Sequence, residues 1–193
     1  MTVQNYMEEI NRGCRTFAEQ YDRGTVSVKD LLALKKAVSF LNNLIAVEQE
    51  LLFLDQIQSP YDRKRLGKPN ANGYDVYDPK QKVVAELKGM LPCLRDGSFG
   101  SQQREQIQKD LDGLVDSKTK AQGLAQGFDK YIVLFDGTQE AMARLLKNAP
   151  DFERQAVNGE EQARHIPTGE VVKIVYINQN EKIPNAHLEI DLS

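Results

Sequence analysis

Two carboxylates and a lysine are the first residues of this chain whose types and spacing point to chemistry. Asp75 is followed 11 residues later by the tripeptide Glu86-Leu87-Lys88. Carboxylate oxygens are ligands that Mg²⁺ prefers, and two carboxylates leave room around the ion for water and phosphate. A lysine beside such a pair can orient or deprotonate a water, or stabilise charge on phosphorus. These residue types predict a metal-dependent hydrolysis of phosphodiesters.

The segment from Tyr74 to Gly89, which carries these residues, is predicted to be a β-hairpin. Two β-prone runs flank Asp78-Pro79-Lys80-Gln81, a turn sequence with proline at its second position. If Asp78 pairs with Gln81, then Asp75 lies opposite Val84. The two carboxylates and the lysine then share one face of the hairpin, because side chains alternate along a strand. The other face is uniformly apolar and is expected to pack against a core.

The pattern of Asp75 followed by Glu86-Leu87-Lys88 resembles the Asp…(Asp/Glu)-x-Lys signature of the PD-(D/E)xK nuclease superfamily, which includes many type II restriction endonucleases. The stretch AELKGMLPCLRDGSFGSQQREQIQKDLDGL is also similar to restriction-endonuclease-like proteins of bacteria. In those proteins a loop, a glutamine-bearing helix and another buried strand follow the motif strand. The resemblance covers residues 44–136, roughly half of the chain.

The proline-aspartate pair of the superfamily's name is absent, since Asn72-Gly73-Tyr74 precedes Asp75. This departure leaves either Asp75 or Asp78 as the metal ligand. The pairing favours Asp75, because Asp78 falls in the turn and on the other face.

The resemblance implies a Mg²⁺-dependent DNA endonuclease, with Mn²⁺ as a substitute for Mg²⁺. Asp75 and Glu86 would bind the metal, and Lys88 would position or activate the attacking water. The alternative is a non-catalytic DNA-binding or protein-interaction module on the same fold. A third possibility is a small α/β interaction protein whose hairpin merely faces solvent.

Two further residues are candidates for the site. Glu48 occupies the apolar stripe of a predicted helix, where a carboxylate is costly unless it is paired or bound to metal, and the resemblance implies a helical acidic ligand there. Otherwise Glu48 and Glu50 face water at a helix end. Gln103 lies four residues before Ile107 on the inward face of a later helix. It would hydrogen-bond phosphate or a metal-bound water, or it is an ordinary polar residue of the first turn.

The net charge of the chain limits the kinds of partner that it is expected to bind. The chain has 193 residues, with 25 Lys and Arg against 28 Asp and Glu, for a net charge of −3. This balance argues against a histone-like protein that coats DNA through bulk positive potential. Basic residues cluster in two loops, which are either solvated or bind DNA. The DNA-binding candidates are Arg63, Lys64, Arg65, Lys68, Lys118 and Lys120.

The elements that must position the site predict an α/β fold: a restriction-endonuclease-like sandwich, with a central mixed β-sheet flanked by helices and an N-terminal helical pair. One domain is expected over 1–193, with N-terminal helices over 1–56 and an α/β core over 57–193. Apolar runs at 130–136 and 171–178 predict strands, and the polar segment 150–169 is expected to be a loop.

A homodimer is expected, because cutting both strands of a symmetric site needs two symmetric active sites. The two N-terminal helices are its candidate dimerisation elements. A cognate methyltransferase or another defence-system partner is a further expectation. Residues 31–54 are apolar but interrupted by charged and polar side chains, which predicts no membrane span. With no signal-peptide pattern and two widely separated cysteines, a cytoplasmic location is expected.

Overall fold

The computed structural model describes residues 3–60, 73–116 and 125–180. They form four helices and six strands. In chain order these are α1 (Val3–Asp22), α2 (Val28–Gln56), β1 (Val76–Asp78), β2 (Val83–Leu87), α3 (Ser101–Val115), β3 (Asp129–Phe135), α4 (Gln139–Lys147), β4 (Phe152–Val157), β5 (Glu160–His165) and β6 (Val171–Ile177). The prediction of an α/β fold with a mixed sheet is confirmed.

The chain divides into two compact units, and the boundary falls inside α2, between Glu48 and Gln49. The described part of the first unit is helical and covers residues 3–48. The described part of the second unit covers residues 49–60, 73–116 and 125–180 and contains the whole sheet. The division thus comes several residues before position 56, where the sequence placed the end of the N-terminal helices.

The sheet of the second unit has six strands in the order β1-β2-β3-β6-β5-β4. The central pairs β2–β3 and β3–β6 are parallel, and the pairs β1–β2, β4–β5 and β5–β6 are antiparallel. Helix α3 connects the parallel strands β2 and β3, as a crossover helix does in a βαβ unit. Ile132, Val133 and Leu134 of β3 are buried on both faces of the sheet, which explains their continuous apolar run.

Helices α3 and α4 cover one face of this sheet. Alternation and register place Val84, Ile132 and Ile174 on that face, and all three belong to one buried cluster with residues of both helices. The helical members of the cluster are Ile107, Leu111, Leu114, Val115, Ala141, Met142, Leu145 and Leu146. The face of β2 that carries Glu86 is therefore covered by packing. The opposite, apolar face is buried as well, at Val76, Val83 and Ala85.

Residues 150–169 form a hairpin, so the prediction of a loop there is wrong. Strands β4 and β5 are joined by Asn158 and Gly159, with Val157 paired to Glu160. Both turn residues have positive φ, 53° and 84°, which a type I′ hairpin turn requires. The strands are rich in charged residues because β4 lies at the edge of the sheet, where side chains reach solvent.

The β1–β2 hairpin is present, but its register differs from the predicted one by two residues. Val76 pairs with Ala85 and Asp78 pairs with Val83, so the connection is Pro79–Lys82 instead of the two-residue turn between Asp78 and Gln81. Lys82 closes the connection with a φ of 56°. A shift of two residues keeps every side chain on its predicted face, because the side-chain period of a strand is two.

Helix α2 begins after Ser27. The backbone N–H and hydroxyl of Ser27 donate to Asp30 Oδ2 at 2.9 and 2.5 Å, and Asp30 N donates back to Ser27 Oγ at 3.3 Å, which is a reciprocal N-terminal cap. In the first unit α1 approaches α2 at Gly13, where an added Cβ would lie 3.7 Å from Ala37 Cβ. This is an ordinary van der Waals distance, so an alanine at position 13 would fit against α2.

The predicted inward stripe of α2 is only partly buried. Ala37, Val47 and Glu48 are buried, whereas Val38 and Leu41 are 47% and 39% exposed. The apolar stripe through Leu34, Val38, Leu41 and Ile45 is therefore exposed at its two central members, whereas Ala37, which borders it, lies close to Gly13 of α1. Among the described helices, α2 alone has the length and mean hydropathy, 1.3, that a membrane crossing needs, and 41% of that stretch is buried.

Candidate active site

The hairpin brings Asp75 and Glu86 together. The β1–β2 ladder ends with the pair Val76 and Ala85, so Asp75 and Glu86 are the next residue of each chain segment beyond its last pair. The Asp75 side chain reaches the neighbouring strand, where its Oδ2 accepts a hydrogen bond from Leu87 N at 2.8 Å. Glu86 is 2% exposed, whereas Asp75 is exposed. The two carboxylates thus lie where a buried strand meets solvent.

Lys88 follows Glu86 on the same face and forms an ion pair with Asp110 of α3. The side chains are 14% and 15% exposed, so the pair lies mostly beneath the helix. Asp110 is not among the site residues predicted from the sequence. A signal was present, because Asp110 follows the inward Ile107 by three residues and precedes the inward Leu114 by four, which places it beside the buried stripe of α3.

Gln49 ties α2 to the carboxyl ends of β2 and β3. Its Nε2 donates to Lys88 O at 3.3 Å and to Val133 O at 3.1 Å, and Val133 O also accepts from Lys88 N at 2.8 Å. Gln49 is fully buried. The backbone of Lys88 is therefore fixed from both sides, by the sheet and by an amide that the sequence argument did not single out.

Asp78 has a different environment from Asp75. Its Oδ2 accepts from Ser59 Oγ at 2.5 Å, and its Oδ1 accepts from Lys80 N and Gln81 N at 2.9 and 3.1 Å. Partial burial raises the pKa of the Asp78 carboxyl, but these donated hydrogen bonds outweigh that effect and leave the pKa below its ordinary value. Asp78 thus holds the turn together on the face opposite Glu86, whereas Asp75 contacts the backbone N–H of Leu87, next to Glu86.

Gln103 caps α3. Its Oε1 accepts from Gly100 N at 2.9 Å and its Nε2 donates to Leu91 O at 2.8 Å. Gly100 is the N-cap residue of α3, so both ends of the amide connect the helix to the loop that follows β2. Hydrogen bonding of Gln103 to phosphate, or to a metal-bound water, stays a prediction that this geometry does not favour.

The remaining candidates belong to the first unit or lie outside the described residues. Glu48 is buried, as its position on the apolar side of α2 predicted, and belongs to the first unit. Its role as a metal ligand stays a prediction. The six DNA-binding candidates lie outside the described residues: Arg63, Lys64, Arg65, Lys68, Lys118 and Lys120.

The two carboxylates of the hairpin supply only some of the ligands that a magnesium ion needs. Mg²⁺ usually keeps several waters and takes one or two protein carboxylates, and the Asp75 carboxylate reaches the backbone of the residue that follows Glu86. A bound divalent cation would also offset the cost of keeping the Glu86 carboxylate buried. Within residues 3–60, 73–116 and 125–180, no group of three or more His, Cys, Asp or Glu side chains is arranged to hold a metal ion. Any ion here would take most of its ligands from water or substrate.

Comparison of this chain with protein-family models, with curated proteins and with solved structures gives no match.

Proposed function

We propose that this protein is a Mg²⁺-dependent DNA endonuclease with a restriction-endonuclease-like fold. The observation that carries the proposal is the contact of Asp75 with the strand that carries Glu86, in which Leu87 N donates to Asp75 Oδ2 at 2.8 Å. Lys88 follows on the same segment. The order of elements adds support. An antiparallel hairpin, a crossover helix and a parallel buried strand follow each other, which is the arrangement that the motif resemblance implies.

In this proposal Asp75 and Glu86 bind the metal through their carboxylate oxygens. A bound Mg²⁺ would polarise the phosphate and lower the pKa of an attacking water. Lys88 positions that water by hydrogen bonding from Nζ, and Asp110 holds the ammonium group on the site face. Gln49 fixes the backbone of Lys88 through its carbonyl oxygen. DNA approaches from the side of Asp75, because that carboxylate is exposed whereas Glu86 is not.

Cleavage of supercoiled plasmid by the purified full chain in Mg²⁺ tests the proposal. We expect nicked or linear product, and a loss of at least about 100-fold in rate for Asp75→Asn and Glu86→Gln, since even partners outside the ligand shell contribute about 10–100-fold at metal sites. The matched control is Asp78→Asn, which removes a carboxylate from the opposite face of the same hairpin. It should retain cleavage. Loss of activity in all three variants alike, or in none, would contradict the assignment.

A second candidate function is a non-catalytic DNA-binding module on the same scaffold. Two contacts favour it: the Lys88 ammonium is already bound by Asp110, and the Gln103 amide is used within the fold at both ends. Thermal unfolding with and without Mg²⁺ separates the candidates. The nuclease should be stabilised by Mg²⁺, and Asp75→Asn should abolish that stabilisation. A binding module should shift a DNA fragment in a gel without Mg²⁺ and leave it intact when Mg²⁺ is added.

A further inference from the structure

A row of apolar side chains along the first half of α2 is exposed in the isolated chain. Leu31, Val38 and Leu41 are 49%, 47% and 39% exposed, and Leu34 and Ile45 are half-buried. These five residues are hereafter the α2 seam. Contiguous exposed apolar surface of this kind marks an interaction site more often than chance placement.

The spacing of the α2 seam indicates that a second helix with the same repeat would pack against it. Its residues alternate three and four apart over two heptads, which gives a straight stripe on one side of a helix. Leucine, valine and isoleucine in such positions pack as knobs into the holes of a second helix with the same repeat. An identical seam on another copy of this chain meets that requirement without any further adaptation.

Charge at the borders of the seam also fits a second copy. With Leu31 at the first core position of a heptad, Asp30 and Lys35 occupy the flanking positions on opposite sides of the seam. In a parallel in-register pair, a flanking residue meets the residue five positions later on the partner helix. Asp30 of each copy would therefore lie beside Lys35 of the other. The cap with Ser27 fixes Asp30 at the start of the helix.

We propose that two copies of this protein associate through the α2 seam, as a parallel in-register pair of helices with two-fold symmetry. The inference is independent of the proposed nuclease activity, because it rests on residues 30–45 of the first unit alone. A symmetric contact of this kind uses the same surface on both copies and closes at two.

The mass of the full chain in solution, measured by light scattering after size exclusion without DNA or metal, tests the pairing. We expect the wild-type chain to have twice the monomer mass, and Leu31→Ser combined with Val38→Ser to weaken dimerisation by at least about 100-fold, because four partly exposed apolar side chains lose their burial per dimer. Leu32→Ser is the matched control: Leu32 is 60% exposed but lies outside the seam. A monomeric wild type, or equal weakening by the control, would overturn the proposal.

Cysteine cross-linking tests the orientation. In a Cys14→Ser, Cys93→Ser background, which removes the two exposed native thiols, Leu31→Cys and Leu41→Cys should each form a disulfide-linked dimer. Both positions face themselves in a parallel pair, and disulfides need Cα atoms within about 7 Å. A disulfide that forms only when the two variants are mixed would overturn the parallel register. A monomeric wild type that sediments with phosphatidylglycerol vesicles would assign the seam to a lipid surface instead.

Discussion

The ion pair between Lys88 and Asp110 should make a stability contribution that a double-mutant cycle can measure. Its side chains are 14% and 15% exposed, so its contribution to stability should lie between those of exposed and fully buried ion pairs. Exposed pairs contribute about 0.2–1 kcal/mol, and removing one partner of a fully buried pair costs about 3–5 kcal/mol. At this depth we expect either Lys88→Met or Asp110→Asn to lower the free energy of unfolding by about 2 kcal/mol.

The double variant should cost about 2 kcal/mol as well, instead of the additive sum of about 4 kcal/mol, because the second substitution removes a charge that has already lost its partner. Urea unfolding at neutral pH, followed by far-UV circular dichroism with linear extrapolation, measures all four free energies. Arg144 and Glu140 provide a matched control pair, 2.6 Å apart and 44% and 80% exposed. Their coupling energy should not exceed about 0.5 kcal/mol.

Additive costs for Lys88 and Asp110 would refute this reasoning.

The same variants also distinguish an effect on stability from an effect on DNA cleavage. If Lys88 positions the attacking water, Lys88→Met abolishes DNA cleavage, whereas Asp110→Asn retains the ammonium group and only slows the reaction. Equal cleavage by the wild type and Lys88→Met would leave Lys88 with a purely structural role.

Two other predictions concern polar side chains around the hairpin. Gln103→Ala should lower the free energy of unfolding by about 1–2 kcal/mol, because it removes the cap at Gly100 N and the bond to Leu91 O; in urea titrations, an unchanged midpoint would contradict this. Asp78 has a lowered pKa in the folded state. Its stabilisation is therefore present above the unfolded pKa of about 3.9 and is lost as the pH falls through the lower folded value. The difference in melting temperature between wild type and Asp78→Asn should shrink as the pH falls below about 4, and a constant difference from pH 6 to pH 2 would count against it.

The faces of the β1–β2 hairpin could be predicted from the sequence, but its register could not. Alternation alone places Asp75, Glu86 and Lys88 together. The register depends on the connection after Asp78, whose carboxylate binds Lys80 N and Gln81 N and also Ser59 Oγ from beyond the end of α2. The contact with Ser59 is tertiary, and local turn preference does not contain it.

The β4–β5 hairpin was predictable and was missed. Asn158-Gly159 is a strong hairpin signal, but the polar flanking residues resemble a loop when an edge strand is not considered. Burial of the Glu86 face was not predictable from the hairpin, because it depends on how the following helix, α3, packs against the sheet. Asp110 shows what periodicity can and cannot predict. The helical repeat predicts that Asp110 lies beside the buried stripe of α3, but only the folded structure shows that it pairs with Lys88.

Strand β3 lies between the site hairpin and the other strands of the sheet. The hairpin can join the sheet only after β3 has been synthesised. Val83 pairs with Asp129, 46 residues later, and Tyr131 pairs with Lys173, 42 residues later. Contacts so distant along the chain form slowly, and a two-stranded hairpin alone is marginally stable in water. During synthesis, a ribosome-bound chain that ends before β3 therefore carries Asp75, Glu86 and Lys88 without the scaffold that holds them. The site can form only after the chain has been made through the end of β3, at Phe135.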